Sequence, residues 1–115
     1  MATTSIPQIS EEERVERRSE LARTLARGGM DNVQILSLDE AEEVFTSMRR
    51  QIIEALSKEE YESVRALARD LDRDKGQVSR DLATLAEHGV VIFETDGQSK
   101  SPRLAQERIL FERLV

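Results

Sequence analysis

Residues 63–93 read SVRALARDLDRDKGQVSRDLATLAEHGVVIF, and this stretch decides the fold. Glu62-Ser63 opens a helix in which Val64, Leu67, Ala68 and Leu71 recur at helical spacing. Asp72-Arg73-Asp74 is a tight polar turn. A second helix follows from about Lys75 to His88, with Val78, Leu82, Leu85 and Ala86 inward. Ala68 and Val78 stand ten residues apart, with Leu71 between them. That is the spacing of a helix-turn-helix: a small residue where the second helix crosses close by, and two aliphatic residues in the wedge. The turn calls for a positive φ at position 72, and aspartate tolerates that region better than most residues. Gly89 sits where the second helix needs a left-handed terminator, and His88 beside it suits the negative helix end.

The stripe of Val78 and Leu82 leaves Lys75, Gly76, Gln77, Arg80 and Thr84 on the outer face or its flanks, with Ser79 at the boundary. A helix fits the major groove of DNA, where arginine pairs with a guanine edge and glutamine with adenine. Asp74 caps the helix start, and Gly76 leaves room for a phosphate to approach the first turn. Beyond Gly89, Val90-Val91-Ile92-Phe93 is β-rich. A turn at Asp96–Pro102 and strand-like runs at Arg103–Ala105 and Ile109–Leu114 complete a hairpin-like wing. Lys100 and Arg103 lie at its tip and flank, placed for DNA backbone or minor-groove contact.

Upstream, Thr46 caps a helix carrying Met48, Ile52, Ile53 and Leu56. Val33–Leu38 reads as a short strand, after which Ser37 or Asp39 caps a short helix through Phe45. Ser10-Glu11-Glu12-Glu13 is a capping box opening a helix from Glu11 to Arg27, halted by Gly28-Gly29. That helix carries 5 Arg against 5 Glu and few apolar residues. It reads as a charged extension, residues 1–32, either loose or packed on a second subunit. Residues 1–9 read as a loose terminus.

Composition narrows the classes. The 115 residues fit one domain of ordinary size. Aromatics are 3 %, so the core is aliphatic. The chain has no cysteine and one histidine, which excludes disulfides, thiolate metal sites and histidine metal clusters. No apolar run approaches the roughly 20 residues of a membrane span, and no secretory leader is evident. The carboxylates are scattered without acid/base pairing, and no glycine-rich phosphate loop is present. Enzyme chemistry, cofactors and small-molecule ligands are therefore not expected. A net charge of −6 argues against indiscriminate nucleic-acid binding but leaves room for a local basic face. Arginine numbers 14 and lysine only 3. A halophilic source with salt-adapted surfaces and a GC-rich genome explain this equally well.

Residues 33–115 resemble the small archaeal winged helix-turn-helix DNA-binding proteins of the MarR-like type. The resemblance lies in Gln34-Ile35-Leu36-Ser37, Val44–Arg49 leading into Ile52-Ile53, Val64–Leu71, Val78-Ser79-Arg80-Asp81-Leu82, and Leu85–Val91. Asp70, Asp72, Asp74 and Asp81 make this helix pair less basic than the family pattern. The resemblance implies an α+β fold, mainly helical, with a short N-terminal strand and a C-terminal antiparallel wing. It implies a cytoplasmic, sequence-specific double-stranded DNA-binding transcriptional regulator. Pairing of groove-reading modules on two half-sites adds the expectation of a homodimer. The alternative is a winged-helix module that binds a protein partner through the same helix face or through the N-terminal helix.

Overall fold

The computed structural model describes residues 10–112. Its elements are α1 (Glu11–Arg27), β1 (Val33–Ser37), α2 (Leu38–Val44), α3 (Ser47–Lys58), α4 (Val64–Asp70), α5 (Lys75–Glu87), β2 (Val91–Asp96), β3 (Ser99–Leu104) and β4 (Arg108–Glu112). They fall into two compact units, one drawn from Met1–Ala41 and Arg108–Val115, the other from Glu42–Glu107.

Side-chain oxygens start the helices where the sequence places them. Ser10 accepts from Glu13 N at 3.1 Å, Thr46 from Arg49 N at 3.3 Å and Ser63 from Ala66 N at 3.0 Å. Asp74 accepts from Gln77 N at 3.1 Å. Each satisfies an amide that the first turn leaves without a helical partner. Of the two candidates before α2, Ser37 is the cap, accepting from Glu40 N at 3.1 Å.

In the Glu42–Glu107 unit, α3, α4 and α5 surround an aliphatic core. Ile52, Leu67, Val78, Leu82 and Leu85 have no exposed surface, and Ala68 is buried where α4 meets α5. The α4–α5 turn closes by Asp72 N donating to Arg69 O at 3.1 Å and Arg73 N to Ala68 O at 2.9 Å. This double bond pattern requires a left-handed residue between, and Asp72 takes it with φ 52°. The same motif ends α5: Gly89 N donates to Ala86 O at 3.0 Å and Val90 N to Leu85 O at 2.9 Å, with Gly89 at φ 74°. Val90 and Val91 are thereby turned into the core.

The wing is the antiparallel pair β2–β3, in register from Val91↔Leu104 to Asp96↔Ser99. Its turn is shorter than the sequence reading. Only Gly97 and Gln98 lie between the strands, and Gly97 at φ 64° supplies the primed-turn geometry that lets two residues reverse the chain. Ser99–Pro102, expected as turn, therefore belong to β3.

The last strand also departs from expectation. β4 is not part of the wing; it pairs in parallel with β1, Val33↔Arg108 through Ser37↔Glu112. A parallel partner needs a long crossover, which the chain between β1 and β4 provides. In the unit that holds this sheet, α1 packs against β1, Leu36 is buried, and α1 has no fully buried residue. Arg113 and Leu114, expected in the final strand, lie outside the described residues.

Candidate nucleic-acid interface

Helix α5 separates its residues by burial. Val78, Leu82 and Leu85 are buried. On the other side Lys75, Gln77 and Arg80 are exposed, while Gly76, Ser79 and Thr84 are half-buried at its edges. Ala83 and Glu87 are exposed as well. The structure thus brings together all six residues proposed on this helix. Thr84 Oγ1 donates to Arg80 O at 3.3 Å, which ties the hydroxyl hydrogen to the helix.

Gly76 has a steric role. A Cβ there would lie 2.9 Å from Asp74 Oδ2 and 3.5 Å from Arg80 Nη1. The missing side chain lets the capping carboxylate and the guanidinium both lie close to the first turn. Among the described residues Arg80 forms no ion pair. Its sequence neighbour Asp81, the obvious partner, is engaged elsewhere.

Asp81 is the feature that sequence reasoning missed. It accepts from Arg73 Nη2 at 2.7 Å and from Arg49 Nε at 3.3 Å. Arg49 also donates through Nη1 to the carbonyls of Glu43 and Val44, at 3.1 and 3.2 Å. The three side chains are 9–20 % exposed, so their charges meet with little water between them. The network joins the start of α3, the α4–α5 turn and α5. The only sequence signal was an aspartate beside Leu82, at the border of the buried stripe.

The wing cations differ. Lys100 is exposed and forms no ion pair among the described residues. Arg103 lies between two carboxylates, Glu60 at 3.0 Å and Glu94 at 2.8 Å. The hydrogen bond to Glu60, with the negative field of both carboxylates, pushes its pKa above the ordinary arginine value. Ser101 Oγ, two residues back on β3, donates to the carbonyl of Tyr61. Tyr61 is buried, and its hydroxyl donates to Asp70 Oδ2 on α4. Tyr61 belongs to the core, and Phe93 is 37 % exposed at its rim.

Among the described residues no group of three or more histidine, cysteine or acidic side chains is placed to hold a metal ion, and no helix is long and apolar enough to cross a membrane.

Solved structures share this fold. One is the homodimeric winged helix-turn-helix DNA-binding domain of Mb0332 from Mycobacterium bovis, described as a possible ArsR-family transcriptional regulator. It is 17 % identical, with TM-score 0.54, over 90 % of this chain and 78 % of that one. Reduced HlyU from Vibrio cholerae is 23 % identical, with TM-score 0.53, over 83 % of each chain. The transcriptional regulator HlyU from Vibrio vulnificus is 23 % identical, with TM-score 0.53, over 85 % of each. The α3–α5 bundle and the β2–β3 wing are therefore a winged helix-turn-helix. No curated protein matches the sequence. A family model does, over residues 44–111, which span the helix-turn-helix, the wing and all but the last residue of β4, and by that match the chain belongs to the HVO_A0114 family.

Proposed function

We propose that the chain is a sequence-specific double-stranded DNA-binding transcriptional regulator of the MarR-like kind, acting in the cytoplasm as a homodimer without a cofactor. The observation that carries this reading is the outer face of α5. Lys75, Gln77 and Arg80 are exposed, and Arg80 is unspent while Asp81 is consumed internally. In the major groove Arg80 donates two hydrogen bonds to a guanine edge, and Gln77 pairs with adenine. Lys75 and Ser79 contact phosphates beside them, Thr84 does so only by giving up its bond to Arg80 O, and a phosphate reaches the first turn at Gly76 only if the Asp74 carboxylate moves aside. Lys100 adds a backbone contact from the wing. Arg103, proposed beside it from sequence, reaches DNA only by leaving Glu60 or Glu94.

Exposed Ile92 and Phe93 on β2 favour a second reading, a protein-interaction module. Selection of duplexes from a random pool, followed by titration at several salt concentrations, separates the two. Enrichment of one motif, with affinity falling as salt rises, supports the regulator. No enrichment supports the second reading.

A further inference from the structure

The unit built from α1, β1 and β4 holds a parallel sheet of two strands, five residues each. So small a sheet is marginal alone, and parallel strands are ordinarily flanked by others. Its two edges are chemically unlike. By sequence the five residues of β4 include one arginine and one glutamate, a composition that disfavours edge pairing. β1 reads Val33-Gln34-Ile35-Leu36-Ser37, with no charge, no proline and no glycine. Nothing in its composition protects it.

We propose that β1 is the contact edge between two copies of this chain. It pairs antiparallel with itself about a two-fold axis at Ile35, making four strands from two. The inference rests on the homodimer reading above and names the surface. Ile35 then faces Ile35 of the second copy, and Val33 faces Ser37. The axis also reverses α1, whose charges are self-complementary in that direction. Glu11, Glu12 and Glu13 lie in its first turn, Glu11 already paired with Arg18 at 3.6 Å, and Arg27 lies in its last turn with Arg23 one turn before. Reversal brings the acidic end of one helix toward the basic end of the other.

The chain contains no cysteine, so single cysteines test the register directly. Facing residues of an antiparallel pair have Cα atoms about 4.5–5.5 Å apart, within the reach of a disulfide at roughly 4.4–6.8 Å. The full chain carrying Ile35→Cys, oxidised without DNA, is expected to become a covalent dimer. Ser37→Cys alone is expected to stay uncrosslinked. Ser37→Cys mixed with Val33→Cys is expected to give only the mixed dimer, which also serves if Ile35→Cys fails to fold. Sedimentation of the parent chain accompanies the assay. A dimer that crosslinks at none of these positions, or at all of them alike, overturns the β1 edge and leaves the homodimer standing. A parent chain that stays monomeric at micromolar concentration overturns both.

Discussion

Arg73 Nη2 donates to Asp81 Oδ2 at 2.7 Å, and through this pair the turn before α5 is fastened to that helix's own flank. The Arg73 side chain is 9 % exposed, and its Nε and Nη1 atoms have no hydrogen-bond partner among the described residues. Asp81 is therefore the counter-ion that makes its burial tolerable. Replacing Asp81 with Ala strands that charge, and is expected to cost about 3 kcal/mol of stability. Urea unfolding checks this. A double-mutant cycle with Arg73→Met should recover a large part of the loss, because the buried charge then goes with its partner.

Leu82 has no exposed surface and lies in the middle of α5. Leu82→Ala is expected to cost about 2–5 kcal/mol, the spread depending on how far α4 and α3 close on the space. Thermal unfolding measures it. DNA affinity, tested below the unfolding transition, is expected to fall only as far as the α5 packing loosens.

Asp72 carries the left-handed turn at φ 52°. A β-branched side chain is poorly accommodated there, so Asp72→Val is expected to destabilise by about 1–2 kcal/mol. Asp72→Gly is expected to stay within about 0.5 kcal/mol of the parent, since relief of strain is offset by a more flexible unfolded chain. Equal losses in both variants, by urea unfolding, contradict the turn assignment.

Tyr61 is the only tyrosine, and there is no tryptophan, so its ionisation is spectroscopically isolated. The hydrogen bond its hydroxyl donates to Asp70, aided by burial, pushes its pKa from 10.0 up to about 12. The neutral phenol is the form that the fold holds. Its stabilisation is fully present below pH 10 and is lost as pH rises through 12. Ultraviolet titration of the folded chain should give a midpoint near 12. Tyr61→Phe should remove the tyrosine contribution to stability changes in this window.

Most of the helix-turn-helix was legible because its determinants are local. Caps at Thr46, Ser63 and Asp74, the periodicity of Val78 and Leu82, and the terminator Gly89 act within one turn of their own positions. Asp72 was readable because few residue types suit its backbone. The apolar run Ile109-Leu110-Phe111 identifies a strand, but it reads identically whether its partner is the wing or β1, so the parallel pairing was not legible. Arg49 and Asp81 are 32 positions apart, and only the folded packing of α3 on α5 reveals their bond. Arg103 looked like a free wing cation because Glu60 approaches it from a distant loop.

The central claim is that the outer face of α5 reads DNA, and Arg80 tests it most directly. The measurement is fluorescence-anisotropy titration of the selected duplex, and of its single-base variants, with the parent chain and Arg80→Ala. The expected result is a loss of about 1–3 kcal/mol on the selected duplex, with discrimination relaxed at one base pair and the fold unchanged. If Arg80→Ala binds as tightly and as selectively as the parent, or the parent binds no duplex at all, α5 is not the reading helix.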